Sequence, residues 1–425
     1  MRYPLKAQIA SALTLIGRRW QIDAHYFAKN SFLVLISQGV GILRGLVGGY
    51  LVARFFSQEM YGEYQFMLGA MGMIGILAIP GIATPVARAW SRGESFSLGT
   101  ITRHQLMVAS VGSFLLVAAI PFLGMYGKQD LWPLFLTAAI IFPLPPIAMV
   151  YFGSYTVGTS RFGLSLKATI VWSVISIVAT AFIILFYQSA LLMLVTSTVI
   201  PPLVYLWMSR NIRPPPEKDP EDTKKIIRYA WQLSLASLPA DLVWYLDKML
   251  ISYFFGLNQL AVFSVALLIP ENLKTIAKQF FPVAFAKQSA KSDTRERRMH
   301  LVRIVFSGAA FLAVAIALYV VVTPWIMPFL FPGYDARTLA LLSSITAITL
   351  VTLPSALFTQ YLEARGMIWE VRMSTWVAAG TFAVALVALV PIFGPLGAVL
   401  ARGVFRFANA GMACWYVLRA PIRTV

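Results

Sequence analysis

Apolar stretches of about 20 residues recur along the whole chain, separated by short charged and polar runs. A helix rising 1.5 Å per residue crosses roughly 30 Å of hydrocarbon in that length, so the pattern predicts membrane-spanning helices. Twelve are expected, over 31–53, 64–86, 105–126, 131–153, 166–187, 189–208, 228–254, 260–283, 303–324, 338–362, 369–390 and 395–418. The first thirty residues hold only a diluted apolar stretch, Ala7 to Gly17, followed by Arg18, Arg19 and Trp20, with no small-residue cleavage site. They are expected to form a retained interfacial helix. The run Arg213-Pro214-Pro215-Pro216-Glu217-Lys218-Asp219-Pro220 reads as a stiff exposed linker. The expected organisation is an interfacial segment (1–30), a first lobe of six spans (31–208), a linker (209–227), a second lobe of six spans (228–418) and a short tail (419–425).

Composition sharpens the class. Of 425 residues, 59% are hydrophobic and 12% charged, against about 25% charged in an ordinary soluble domain. The chain is therefore an all-α polytopic membrane protein. Its net charge of +18 would suggest nucleic acid for a soluble protein, but a bilayer explains it and no nucleic-acid partner is expected. The single cysteine, Cys414, excludes a disulfide framework and a thiolate metal site.

The distribution of lysine and arginine then orients the spans. Twenty-six fall in the segments predicted on one side, against three, Arg54, Lys128 and Arg337, on the other. Basic residues near span ends are retained in the cytoplasm, so both termini are expected there and the protein is placed in a bacterial inner membrane. The loops predicted to face outward are at most roughly 15 residues by the same reading of the spans, too short for the external domain of a glycan polymerase or ligase.

The halves resemble each other. Arg54-Phe55-Phe56-Ser57 and Gly62-Glu63-Tyr64 recur at an offset of 199 as Tyr253-Phe254-Phe255-Gly256 and Ala261-Val262-Phe263, and Phe152 and Tyr155 recur as Phe358 and Tyr361 at 206. Spans 1 and 7 run the same way, so the repeat is parallel, with its axis along the membrane normal.

Nine ionisable residues fall inside the predicted spans away from the first few residues of each: Arg44, Asp241, Asp247, Lys248, Glu271, Lys274, Lys278, Arg402 and Arg406. At about 3 kcal/mol each on insertion scales, an uncompensated set would cost about 25 kcal/mol, so most must face a wet cavity or one another. Six positive against three negative leaves an excess of positive charge that suits an anionic headgroup. The candidate contacts for it are Arg44, Lys248, Lys274, Arg402, Arg406 and Asn409. Two readings of Arg44, flanked by Gly41, Gly45 and Gly48, stay open: a phosphate contact or a cap on a neighbour's carbonyls. Arg402 and Arg406 share a face at i and i+4, continued by Asn409; they either contact the anion or pair with Asp241, Asp247 or Glu271. Asp241 and Lys248 share a face with Trp244 and Tyr245, which suggests an ion pair, with Asp247 pointing elsewhere; alternatively a carboxylate couples transport to H⁺ or Na⁺. Glu271, Lys274 and Lys278 share another face. Prolines inside spans, among them Pro80, Pro143, Pro145, Pro146, Pro270 and Pro354, permit kinks. His25, His104 and His300 lack metal spacing, and no Gly-rich phosphate loop is present, so no metal and no cofactor are expected.

Asn30-Ser31-Phe32 through Gln38-Gly39, Ala53-Arg54-Phe55-Phe56 to Tyr61-Gly62-Glu63-Tyr64, and Leu246-Asp247-Lys248 to Ala261-Val262-Phe263-Ser264-Val265-Ala266 resemble the polysaccharide transporter branch of the multidrug/oligosaccharidyl-lipid/polysaccharide exporter superfamily, the Wzx-type flippases of O-antigen and other surface glycans. The span count extends the resemblance over essentially the whole chain. The resemblance implies a two-lobed, V-shaped fold with a cationic central cavity that alternates its access. It implies transport, not catalysis, of an undecaprenyl-pyrophosphate-linked oligosaccharide to the periplasmic leaflet, with a glycan polymerase and chain-length regulator as partners. The family's span-embedded basic residues map onto Arg44, Lys248, Arg402 and Arg406, and its acidic-basic pair in span 7 onto Asp247-Lys248.

Overall fold

The computed structural model describes residues 24–124, 128–212, 220–278, 295–365 and 367–419. Most of the predicted interfacial segment, the core of the predicted linker, residues 279–294 and the last six residues lie outside the described residues.

Twelve helical rods appear in chain order, and no strand occurs among the described residues. The first rod is α1 (Ala24–Phe55); α2 (Gln58–Gly75) and α3 (Ala83–Arg92) share the second; α4 (Leu98–Leu123) is the third. The fourth is broken into α5 (Trp132–Ile141), α6 (Leu144–Ala148) and α7 (Ser154–Gly158), followed by α8 (Phe162–Phe186) and α9 (Ala190–Met208). α10 (Pro220–Lys278) holds two rods, because Gly256 at φ 83° takes a non-helical conformation and divides it into limbs over 220–255 and 257–278. Then come α11 (Arg295–Leu330), α12 (Ala336–Thr349) with α13 (Ala356–Ala364), α14 (Ile368–Phe393) and α15 (Pro395–Arg419).

Among the described residues nine helices are long and apolar enough to cross a membrane. The difference from the twelve expected has local causes. α10 counts once although it holds two predicted spans, α2 and α3 are interrupted, and α15 carries Arg402, Arg406 and Asn409 in its middle.

Glycine contacts show how the rods run. Gly62 faces Leu257, Gly69 faces Met249 and Gly72 faces Tyr245, so α2 and the first limb of α10 are antiparallel; Gly45 faces Asn272 and Gly49 faces Leu268, so α1 and the second limb are antiparallel too. The turns at Ser57, Gly256 and Gly394 therefore lie at one end of the bundle, called the Ser57 end below. α1 and the first limb run the same way toward it.

Proline has the predicted kinking effect in three rods. Ile79, at φ 51° in the left-handed region, precedes Pro80 and breaks the second rod. The backbone groups freed there are recaptured: buried Gln105 donates to the Ala78 carbonyl, and the Gly81 N–H donates to Ser234 Oγ at 3.0 Å. Pro143, Pro145 and Pro146 precede a π-turn at Met149–Gly153, and Pro354 lies in the 3₁₀ stretch Leu350–Ser355.

The two sets of six rods are packed together at the Ser57 end and largely apart at the other. One continuous core at the Ser57 end draws Val52, Phe56, Tyr61 and Ile184 from the first set, and Ile251, Phe263, Phe331 and Val399 from the second. At the opposite end the described cores are local. Phe152, Ala168 and Val204 belong to the first set, and Leu301, Phe358, Leu362 and Val417 to the second. The first limb of α10 is the exception: its Ile226 and Ala230 join Ile79, Val86 and Phe96 of the first set. Polar bonds reinforce the Ser57 end, where Arg54 Nη1 donates to the Phe329 carbonyl (3.2 Å), Gln58 Nε2 to the Gly333 carbonyl (2.7 Å) and Lys128 Nζ to the Ser252 carbonyl (2.7 Å).

Candidate functional site: a cationic cluster between two cavities

The intramembrane charges of the second set converge from three rods. The first limb of α10 contributes Asp247 and Lys248, the second limb Glu271 and Lys274, and α15 contributes Arg402 and Arg406. The i, i+4 spacing on α15 points both guanidinium groups to the same side, the i, i+3 spacing on α10 brings Lys274 onto Glu271, and the reversal at Gly256 brings the limbs back against each other.

Asp247 is fully buried and its Oδ2 accepts from Arg402 Nε at 2.5 Å, while its Oδ1 accepts from the Lys248 backbone N–H at 2.7 Å. Glu271 collects three cations. Its Oε1 accepts from Arg402 Nη1 at 3.2 Å and Arg406 Nη2 at 2.5 Å, and its Oε2 accepts from Lys274 Nζ. Arg406 also donates to Thr349 Oγ1. Trp244 covers the cluster, with the Lys274 ammonium 4.2 Å and the Arg402 guanidinium 5.2 Å from its ring. Three cations on two carboxylates, with Lys248 beside them, leave a local charge of +2.

Of the alternatives open for Arg402 and Arg406, the structure has both paired, with Asp247 and Glu271. The expected Asp241–Lys248 ion pair does not form. Seven residues along a helix span about 10 Å, too far for direct contact, and Lys248 Nζ instead donates to Gln65 Oε1 of α2 at 3.0 Å. Asp241 makes no ion pair among the described residues. Asn409 lies one turn beyond Arg406, with its Oδ1 buried and unbonded. The side chain of Lys278 lies outside the described residues.

Arg44 is held in the first set. Its guanidinium lies 4.4 Å from the Trp172 ring, on the neighbouring α8, and its Nε is buried without a hydrogen-bond partner.

Two cavities connect these groups. One, of about 280 Å³, is lined by Gln65, Trp244, Lys248, Glu271, Asn272 and Arg402, among others; the second, of about 160 Å³, is lined by Arg44, Tyr64, Ser176, Thr180 and Ser197, among others. Tyr61, Gln65 and Leu268 line both, so a wall of three side chains parts the Arg44 side from the Lys248 and Arg402 side. The larger cavity approaches the lower bound of small-ligand pockets, about 300 Å³.

Several of these residues escaped sequence reasoning. Gln65 is the polar partner of Lys248, and its only signal was a long amide in an apolar run. Trp172 was lost among the chain's 11 tryptophans, and Trp244 stood out only as a neighbour on the face of Asp241 and Lys248. Tyr61 and Tyr64 stood in a stretch quoted for its family resemblance, without a role.

Comparison with known proteins agrees with this architecture. Residues 27–282 match the family described as polysaccharide biosynthesis protein. The chain belongs to that family. No curated protein sequence matches it. Among solved structures it is similar to the lipid II flippase MurJ in an inward closed conformation, at 12% identity and a TM-score of 0.73, covering 93% of this chain and 88% of that one. It is also similar to a MATE transporter solved with MaL6 (14%, TM-score 0.61, 92% and 95% covered). A third is a transporter of the multidrug/oligosaccharidyl-lipid/polysaccharide superfamily from Pyrococcus furiosus, whose description stresses a binding pocket of reversed polarity (15%, 0.58, 92% and 94%). At these identities the likeness is one of fold: a polytopic all-α architecture with two six-helix lobes.

Proposed function

We propose that this protein is a flippase that moves a polyprenyl-pyrophosphate-linked oligosaccharide, an O-antigen or other surface-glycan repeat unit, from the cytoplasmic to the periplasmic leaflet by alternating access. The observation that carries this reading is the +2 cluster opening on a cavity inside a protein of the polysaccharide biosynthesis family. A pyrophosphate diester is dianionic, and arginine forks match phosphate oxygens. Membership in that family and the fold shared with a lipid II flippase favour a lipid-linked saccharide as cargo. A carrier for cationic drugs would call for a cavity dominated by carboxylates.

On this reading the Ser57 end, the side to which the sequence assigns Arg54, Lys128 and Arg337 against 26 basic residues on the other, is periplasmic. The core shared at that end then closes the carrier to the periplasm. The polyprenyl tail stays in lipid while the headgroup traverses the interior. Asp241, which has no ion-pair partner among the described residues, is the candidate site for H⁺ or Na⁺ coupling. A glycan polymerase and chain-length regulator would act on the product.

Deleting the gene and assigning polyprenyl-linked glycans to leaflets by mass spectrometry and external labelling tests the reading. Complete repeat units are expected to accumulate on the cytoplasmic leaflet, with surface polysaccharide lost. Units that reach the periplasmic leaflet unpolymerised would overturn it in favour of a step after flipping. Arg44→Ala is expected to reduce surface glycan at least ten-fold while membrane levels of the protein stay near normal, because Arg44 anchors no carboxylate. Normal export in this variant would remove Arg44 from the substrate path.

A further inference from the structure

The two carboxylates of the cluster differ in a way that the charge count alone does not show. Asp247 has no exposed surface, is held by the Arg402 Nε and a backbone N–H, and does not line the cavity. Glu271 lines the cavity, and its side chain is 23% exposed. Asp247 is a fixed counter-charge. Glu271 is a counter-charge at the cavity wall, within reach of a ligand there.

The donors that converge on Glu271 are the ones an anionic ligand would need. Arg402 Nη1 and Arg406 Nη2 meet on one oxygen and Lys274 Nζ on the other, and guanidinium forks bind phosphate and carboxylate with the same geometry. Arg402 and Glu271 line the cavity, while Arg406 and Lys274 reach Glu271 from outside its lining, so Glu271 holds the place at these donors that an anionic ligand would take.

The geometry points to Glu271 as an internal substitute for the substrate phosphate: in the loaded carrier a phosphate displaces the Glu271 carboxylate from Arg402, Arg406 and Lys274, and in the empty carrier the carboxylate returns. This rests on the flippase reading above and adds to it a competition that sets affinity and permits release. A carrier must return empty, and a cluster with one carboxylate fewer would cross that step with more uncompensated charge in a low-dielectric interior. It must also release its anion, and a tethered carboxylate at the same donors speeds that exchange. The apparent affinity is lowered by the fraction of carriers in which Glu271 holds the donors.

The test measures binding of geranyl pyrophosphate to the purified full-length protein in detergent by calorimetry, with geraniol as a control for the tail alone. Glu271→Gln is expected to bind geranyl pyrophosphate at least ten-fold more tightly than the parent and, in cells, to export less glycan. A residue that merely shaped the pocket would lower both together. Equal or weaker binding by Glu271→Gln with an unchanged melting temperature overturns the proposal and leaves the flippase reading standing. If neither protein binds geranyl pyrophosphate more tightly than geraniol, the anion site itself fails, and the proposal with it. Should Glu271→Gln not fold, Glu271→Asp decides: it keeps the charge but withdraws the carboxylate by one methylene. Tighter binding is again expected, and equal or weaker binding overturns the proposal.

Discussion

Arg402→Ala is expected to abolish glycan export and to destabilise the protein by about 3–5 kcal/mol, the range for removing one partner of a buried ion pair. The reason is Asp247, which is wholly buried and has Arg402 as its charged partner, at 2.5 Å. Alanine would leave that carboxylate with a single backbone N–H, and would also strip Glu271 of one of its three cations. The check is a thermal melt in detergent together with surface-glycan recovery in a deletion strain. Asp247→Asn combined with Arg402→Gln separates the two consequences. It removes the buried charge, so much of the stability is expected to return, but export is not, because an arginine is still missing from the cavity wall. An Arg402→Ala protein that melts like the parent would mean that Asp247 finds another partner, and that this pair does not organise the cluster.

The second large effect concerns the seal between the two sets of rods. Gly62→Ala places a methyl against the backbone carbonyl of Leu257, which follows directly on the Gly256 turn. A backbone carbonyl cannot rotate aside like a side-chain tip, so the second rods of the two sets must separate at this close approach. Overpacking of this kind costs about 1–3 kcal/mol, and here the cost falls on the form closed at the Ser57 end. The expected result is a shift toward opening at that end. Cysteines replacing Gln58 and Gly333, whose hydrogen bond spans 2.7 Å, report it in a background with Cys414 changed to serine. Cross-linking is expected to be efficient with Gly62 and to fall several-fold with alanine. Unchanged cross-linking and melting would show that the helices absorb the methyl, and that this contact does not seal the end.

The stretches that carried the resemblance turn out to have physical roles in the seal and the cavities. Tyr61-Gly62-Glu63-Tyr64 supplies the tyrosine that borders both cavities, the glycine that lets Leu257 approach and the tyrosine beside Arg44. Ala261, Val262, Phe263, Val265 and Ala266 all belong to the shared core. Asp247-Lys248 proved to be two residues with separate tasks, one facing α15 and the other α2. Adjacent positions on a helix point about 100° apart, so a dipeptide match cannot say which partner each one meets.

The sequence by itself determined the class, the rods, their alternating direction and the presence of more positive than negative charge within the membrane. Those properties follow from chain-local physics, namely the length of an apolar helix, the cost of a charge in hydrocarbon and the retention of lysine and arginine on one side. Proline announced where rods bend, as at Pro80. Only the tertiary structure decided which charges meet. Glu271 lies 131 residues from Arg402 and Asp247 155 residues from it, and nothing local distinguishes those carboxylates from Asp241, which has no ion pair among the described residues. Packing of three rods around one point decided that Asp247 would be enclosed and Glu271 left at the edge of a cavity. Desolvation is a property of that enclosure rather than of the residue, so the difference between a fixed and a displaceable carboxylate had no counterpart in the chain until it folded.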